Sequence, residues 1–341
     1  MWFCEPPFDL EHLKNHTVPG LGISYVFLFD QEPLDFQRLH PMLQEIHATH
    51  ARHDYSPGRG AIITSELHSS TVEQICQVYD WYSFYYFYNG WAALDWFRGY
   101  DKTFLITPPE ERRVKHTFIM PNRIIAGERE HRLILLYQLF SKSLGQNLIS
   151  CPLTCPAEGI SVYDAVKKFE PQYPDIVDTF VNAGLPKTLD EGSVSSNASA
   201  TLDLFDESSK CLLYLVSETV GTGHRLHLTE KTFKPICMKM PFVIASTHGS
   251  LSYLRGYGFR TFHDIWDESY DDEPDDFKRM EKIAILLRSL EDLGDRRQEV
   301  ADQCREIVEY NFNHFYGGGF ESLLWQEFKS MLDDIKIKLS I

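Results

Sequence analysis

Residues 211–246 read CLLYLVSETVGTGHRLHLTEKTFKPICMKMPFVIAS, and the order of features in that stretch decides the fold. Residues 211–217 are a short apolar run of strand length. Residues 218–228 carry two glycines and lose the pattern, as a loop does. Thr229 then stands where a helix cap belongs, ahead of a helix expected over residues 229–238. Pro241 leads a second apolar run, a strand over residues 241–246. Strand, loop, helix and strand in this order make a parallel α/β unit, whose ligands sit at the carboxyl ends of the strands. Ser217, Glu218, Ser246, Thr247 and His248 fall at those ends. Glu230 and Lys231 fall at the first turn of the helix, beside unpaired N–H groups and the positive end of its dipole. Such a site suits phosphates and sugar hydroxyls.

The same alternation extends outward. Residues 116–121 (HTFIMP) read as a strand, residues 128–143 as a helix and residues 148–151 as a strand, the start of a βαβ unit. Residues 152–206 are rich first in Pro and then in Ser, Asn and Ala, which predicts an irregular insertion with a mobile tip near 190–200. A helical turn at 251–256, a short strand at 260–262, helices at 278–290 and 296–310, and a last helix at 320–338 follow. Toward the N-terminus, strands are expected at 21–30, 60–67 and 103–107, with helices at 36–50 and 71–79. The aromatic-dense stretch 79–100 offers flat faces to a sugar or a base, but bulky core is the plainer reading. The sequence therefore predicts two facing Rossmann-like α/β domains with an active site in their cleft. Residues 1–112 form the first domain and 113–312 the second. Residues 313–341 supply a C-terminal helix that packs back on the first domain.

Bulk composition narrows the classes. The chain has 341 residues, 43% of them hydrophobic and 24% charged, with a net charge of −16. That is an ordinary globular balance, and it argues against wholesale wrapping of nucleic acid or anionic membrane. No run reaches the length of a membrane span and the start lacks a leader pattern, so the expectation is a cytoplasmic protein. Seven scattered cysteines read as buried thiols. The pair Cys151 and Cys155 lacks the second pair or histidine that zinc needs. The acidic residues Asp271, Asp272, Asp275 and Asp276 read as a solvated rim. The histidines His40, His47, His50 and His53 read as surface or packed core groups.

Three segments carry a resemblance. Ser217-Glu218, a Gly-bearing loop, Leu228-Thr229-Glu230-Lys231 and the Pro241-Phe242-Val243-Ile244 strand form the first. Phe118-Ile119-Met120-Pro121-Asn122 with Arg132 on the next helix is the second, although Pro121 stands where serine is usual. Phe29-Asp30-Gln31-Glu32-Pro33 is the third. Together they resemble the GT-B glycosyltransferases, most closely the α-1,3-fucosyltransferase family.

The resemblance implies a metal-independent, inverting transfer of a sugar from a nucleoside-diphosphate sugar to a hydroxyl acceptor, a glycan or small molecule, with no cofactor besides that donor. It matches Lys231 and Arg132 to the diphosphate, where fixed cations stabilise the charge that builds on the leaving group. Arg123 and Arg129 stand nearby. Asn122, Ser217, Glu218 and Thr229 complete the donor set, and Glu230 suits ribose or sugar hydroxyls. Glu32 is the carried-over general base, with Asp30 and Asp35 as rivals, because Glu32 here touches Pro33 directly. An acid in this turn also suits a helix cap.

Residues 258–271 are similar to glycosyltransferase-like proteins of large tailed phages. That likeness implies a second acceptor, a hydroxylated base in phage DNA, with action in the host cytoplasm. A DNA acceptor predicts a basic strip at 112–115 and 123–132. A non-catalytic sugar-nucleotide or glycan-binding protein is the rival from another class.

Overall fold

The computed structural model describes residues 2–3, 26–29, 33–52, 60–99, 111–189, 202 and 204–339. The protein is an α/β protein with parallel sheets, and its chain divides into two compact units. One unit comprises Met1–Trp91 and Ser322–Ile341, the other Ala92–Glu321.

The first unit carries β1 (Trp2–Phe3), β2 (Val26–Phe29), α1 (Phe36–Arg52), β3 (Ala61–Thr64), α2 (Ser70–Tyr79) and β4 (Tyr82–Tyr85). Its four strands pair in chain order, all parallel. The period-two alternation of β3 sorts its side chains between two cores. Ile62 packs with Leu39 and Leu43 of α1 and with Val72 and Ile75 of α2. Ala61 and Ile63 pack with Phe84, Tyr86 and, from the C-terminal helix Gly319–Leu339, Met331 and Ile335. The aromatic-dense stretch is therefore largely core: Trp81, Phe84, Tyr86 and Phe87 are all buried. Gly60 leaves room for the Trp81 ring, which a Cβ there would meet at 2.2 Å. The first unit ends within α3 (Tyr88–Phe97).

The second unit is built on β5 (His116–Met120), α4 (His131–Ser141), β6 (Leu148–Ile149), α5 (Val162–Lys167), α6 (Ile176–Asn182), α7 (Phe205–Ser208) and β7 (Cys211–Ser217). It continues through α8 (Glu230–Cys237), β8 (Phe242–Ala245), α9 (Ser250–Gly256), α10 (Asp276–Glu291), α11 (Arg297–Gln303) and α12 (Arg305–Tyr316). Its sheet runs β6-β5-β7-β8, all parallel. Every residue of β7 is buried, as expected of an inner strand in a sheet covered on both faces. Residues 131–139 of α4 are buried all round, which marks a helix inside the unit rather than on its surface. The chain leaves β5 toward β6, then crosses back to place β7 on the other side of β5. The switch in winding direction therefore lies between the carboxyl ends of β5 and β7, the crevice where open parallel sheets bind ligands.

Some expectations are corrected. Residues 152–206 are not simply irregular. Ser161 caps α5, accepting from Tyr163 N at 3.2 Å, and α5 and α6 bury Val162, Val166, Ile176 and Phe180. Helices of six and seven residues between prolines are too short to show a period in sequence. Residues 190–201, the expected tip, lie outside the described residues, as does the strand expected at 103–107. Residues 260–262 form no strand, because Arg260 N donates to Asn311 Oδ1 and Phe262 N to Glu268 Oε1, at 2.8 and 2.7 Å. The helix expected at 296–310 is two helices, α11 and α12, and the second extends to Tyr316.

Candidate functional site

The start of α8 stands on a buried carboxylate. Glu218 follows the last residue of β7 and is wholly buried. Its Oε1 accepts from Thr229 N at 3.0 Å and Thr232 Oγ1 at 2.6 Å. Its Oε2 accepts from Thr229 Oγ1 at 2.6 Å and Thr219 N at 3.1 Å. Four donors around one carboxylate tie the end of β7 to the first turn of α8. Glu218 thus holds the site together through bonds within the chain.

Above it, Thr229 caps the helix and Lys231 lies across the cap. The Lys231 ammonium donates to Glu230 Oε1 at 2.7 Å, Thr219 Oγ1 at 3.2 Å and Thr229 Oγ1 at 3.3 Å. Its side chain is 32% exposed, whereas that of Glu230 is 11% exposed. Burial pushes the Glu230 carboxyl up, but the Lys231 charge and hydrogen bond outweigh it, with Lys234 adding to them. The group therefore sits below its ordinary value. The Lys231 ammonium thus keeps partial solvent access at the start of α8 while paired with Glu230.

Two buried arginines brace the strand ends. Arg132 donates to Ser217 O at 2.9 Å, Glu218 O at 2.8 Å and Ile124 O at 2.7 Å. Arg279, wholly buried, donates to Ser246 O at 2.7 Å, Glu273 O at 2.7 Å and Gly221 O at 3.0 Å. Each guanidinium satisfies carbonyls at the carboxyl edge and so shapes the loop over residues 218–223. The geometry thus gives Arg132 a bracing task, beside the diphosphate role that the resemblance implies. Arg123 is exposed and Arg129 half-buried.

Between the two strand ends lie polar side chains of a different kind. Asn122 follows β5, and its backbone is tied on both sides to Ser150. Its N–H donates to Ser150 Oγ at 2.5 Å, and Ser150 Oγ donates to Asn122 O at 2.9 Å. Yet both atoms of its buried carboxamide find no hydrogen-bond partner among the described residues. The same holds for the Ser217 hydroxyl and for Nδ1 of His131. Phe118 pairs with Leu213 and Ile119 with Tyr214, so the two strands run side by side toward one edge, where Asn122 follows β5 and Ser217 ends β7. His131 Nε2 contacts Glu218 O at 3.1 Å. Gly221 lies so close over its ring that a Cβ would meet it at 2.2 Å.

Asn122, Ser217, Glu218, Thr229, Glu230, Lys231 and Arg132, all marked by the sequence, stand at one edge of one sheet. His131 and Arg279 are brought there by the fold. Arg279 had a signal: it falls in register with Ile283, Leu287 and Leu290 on the apolar stripe of α10, where a charge calls for a buried partner. His131 had none. Asp30 and Glu32 lie outside the described residues. Asp35 accepts from Gln37 N at 2.8 Å, at the start of α1, which is the helix-capping use.

Asp271 is not a solvated rim residue. It is buried and accepts from Leu251 N at 3.0 Å and Ser252 N at 3.4 Å, at the start of α9. Burial pushes its carboxyl up to about 6. Arg112 is also interior, with its guanidinium on Lys239 O at 2.8 Å and on Met238 O, so the basic strip at 112–115 loses one member to the core.

A cavity of about 580 Å³ lies away from this edge, between the end of α4 and α6, with Gln146, Asp175, Asp178 and Lys187 in its lining. None of the residues named above lines it. Among the described residues no group of three or more His, Cys, Asp or Glu is placed to hold a metal ion, and no helix is long and apolar enough to cross a membrane. Comparison with protein families, with curated proteins and with solved structures finds no match to this chain.

Proposed function

We propose that the protein is a metal-independent, inverting glycosyltransferase that moves a sugar from a nucleoside-diphosphate sugar to a hydroxyl of a glycan or small molecule. It would be built from two Rossmann-like domains in the GT-B manner. The observation that carries this reading is the pairing of two features at one strand edge. Lys231 offers a partly exposed ammonium at the capped start of α8. Asn122 and Ser217 offer buried polar groups with no partner among the described residues.

In this reading the diphosphate draws the Lys231 ammonium from Glu230, with which it pairs at 2.7 Å. That exchange frees the Glu230 carboxylate for hydroxyls of the ribose or the transferred sugar. As the bond from the anomeric carbon to the phosphate oxygen breaks, negative charge grows on the diphosphate. Lys231 and the N–H groups of the first turn of α8 stabilise it. The acceptor hydroxyl loses its proton to a carboxylate, with Glu32 as the proposed base and Asp30 and Asp35 as rivals. Attack opposite the leaving group inverts the anomeric carbon. A hydroxylated DNA base as acceptor draws less support, because Arg112 and Arg132 of the expected basic strip donate to main-chain carbonyls.

The test is a panel of nucleotide sugars with a chelator present, read by thermal shift and by slow donor hydrolysis. One donor is expected to raise the Tm. Lys231→Ala is expected to weaken that donor about tenfold, the scale of one charge-assisted hydrogen bond. Glu32→Gln should keep binding and lose transfer. If no nucleotide sugar shifts the Tm, the transferase reading fails. Binding with no hydrolysis or transfer to any acceptor would leave a sugar-nucleotide-binding protein instead.

A further inference from the structure

We infer that the corner between the carboxyl ends of β5 and β7 receives an uncharged hydrogen-bond donor of the ligand, a base N–H or a ribose O–H. Its partners are His131 Nδ1, the Ser217 hydroxyl and the Asn122 carboxamide. This deepens the proposed function and rests on it, since it states which part of a nucleotide the corner takes.

His131 Nε2 lies 3.1 Å from Glu218 O. A carbonyl oxygen only accepts, so Nε2 carries the proton and Nδ1 is left as a bare lone pair. The ring stays neutral: burial, with the Arg132 charge and more weakly Arg279 and Arg129, pushes its pKa down to about 3, against the opposing pull of the Glu218 carbonyl. Nδ1 is thus a fixed, buried acceptor, and it has no donor among the described residues.

A buried polar atom in this condition costs stability unless something supplies its partner. Four such atoms belong to residues at these strand ends: Asn122 Nδ2 and Oδ1 two residues after β5, Ser217 Oγ on the last residue of β7, and Nδ1 of the His131 ring whose Nε2 contacts Glu218 O. They sit at the switch point of a parallel sheet, where ligands bind. The set combines acceptors and donors and includes no cation. A phosphate oxygen would face the Nδ1 lone pair and be repelled. The phosphates therefore belong on the Lys231 side, and the neutral end of the nucleotide belongs here. The Asn122 carboxamide offers one donor face and one acceptor face, the two-point match that lets an amide read a base edge.

The corner is also held ready. Ser150 locks the backbone of Asn122 on both sides. Arg132 holds the carbonyls of Ser217 and Glu218. Gly221 closes over the His131 ring, and only a residue without Cβ fits there. Fixed groups bind with little loss of side-chain freedom.

Titration calorimetry of the full chain with the diphosphates of uridine, guanosine, cytidine and adenosine tests the assignment. Uridine and guanosine carry an amide N–H on the base, whereas cytidine and adenosine do not. The 2′-deoxy form of the best binder separates base from ribose. Ser217→Ala is the smallest change, and His131→Gln keeps an N–H toward Glu218 O while removing the Nδ1 lone pair. Each variant, and Asn122→Ala, is expected to weaken the best diphosphate about tenfold, the scale of one hydrogen bond, with Tm unchanged or raised.

A preference for amide-bearing bases assigns the corner to the base. A loss confined to the 2′-deoxy form assigns it to the ribose. Unchanged affinity in Ser217→Ala and Asn122→Ala overturns the inference. If Lys231→Ala still weakens the same diphosphate, the nucleotide-sugar reading survives that failure. A lower Tm in Ser217→Ala with unchanged affinity means a buried water only, and it too overturns the inference. If no diphosphate or nucleotide sugar binds, both readings fall.

Discussion

The two ends of strand β5 each have an asparagine beside them, and the two are treated in opposite ways. At the amino end, Asn147 is fully engaged. Its Oδ1 accepts from Thr117 N at 2.8 Å and Phe118 N at 3.2 Å, and its Nδ2 donates to Leu144 O at 3.3 Å and Glu291 Oε2 at 3.1 Å. Around it, Thr117 Oγ1 donates to Glu291 Oε2, Gln146 Nε2 donates to Glu291 Oε1 at 3.1 Å, and Arg297 Nη1 donates to Thr117 Oγ1 at 2.9 Å. At the carboxyl end, Asn122 is as well buried, but its carboxamide has no partner among the described residues. A closed network spends its polar groups on holding the fold. An open one keeps them for something else. On hydrogen-bond accounting, the amino end of β5 is closed, whereas the carboxyl end keeps side-chain atoms with no partner among the described residues.

Four substitutions sharpen or break this contrast. The largest effect belongs to Glu218, which lies at the open end yet is saturated by four donors. Glu218→Ala strands those donors in the interior and is expected to cost about 4 kcal/mol in urea unfolding, the scale for breaking a buried charged network. A cost under about 1 kcal/mol would show that the carboxyl end is loose throughout. Next comes the asparagine pair itself. Asn147→Ala is expected to cost about 2–3 kcal/mol, since it strands Thr117 N and Phe118 N. Asn122→Ala should leave stability within about 0.5 kcal/mol of the parent. Equal losses at the two positions would erase the distinction between the ends.

A last comparison is read from pH. The His131 pKa falls from 6.5 to about 3 on folding. The neutral ring therefore stabilises the fold fully above 6.5, and that contribution is lost as pH falls toward 3, because the unfolded chain takes up the proton first. Asp271 works the other way: its carboxyl rises from 3.8 to about 6, so its contribution improves as pH falls through that window. Comparing the parent with His131→Gln isolates the histidine. The parent is expected to lose about 1–2 kcal/mol more than the variant between pH 7 and 5. Parallel curves would mean that His131 takes up its proton in the folded protein.

Much of the second unit was legible in the chain itself. Residues 211–217 are a strand, Thr229 caps a helix and the strand after Pro241 follows, all close to where apolar runs and cap chemistry put them. These are local signals, carried by residues within one element. The strand ends at Ser217 and the helix start at Lys231 were readable for the same reason, since position along a strand or at a cap is itself a sequence property. The short helices of residues 152–189 were hidden because their amphipathic faces span only two turns.

What the sequence determined by itself was the parallel α/β plan of the second unit and the set of polar residues gathered at its strand ends. Only the tertiary structure decided how those residues divide their work. Glu218 and Arg132 are engaged inside the chain, whereas Asn122, Ser217 and His131 Nδ1 have no partner among the described residues. The reason is physical. Whether a buried polar atom is satisfied depends on donors and acceptors that arrive from distant parts of the chain, as Arg132 reaches Glu218 and Arg279 reaches Ser246. A sequence orders residues along one dimension, while hydrogen bonds are settled by distance and angle in three.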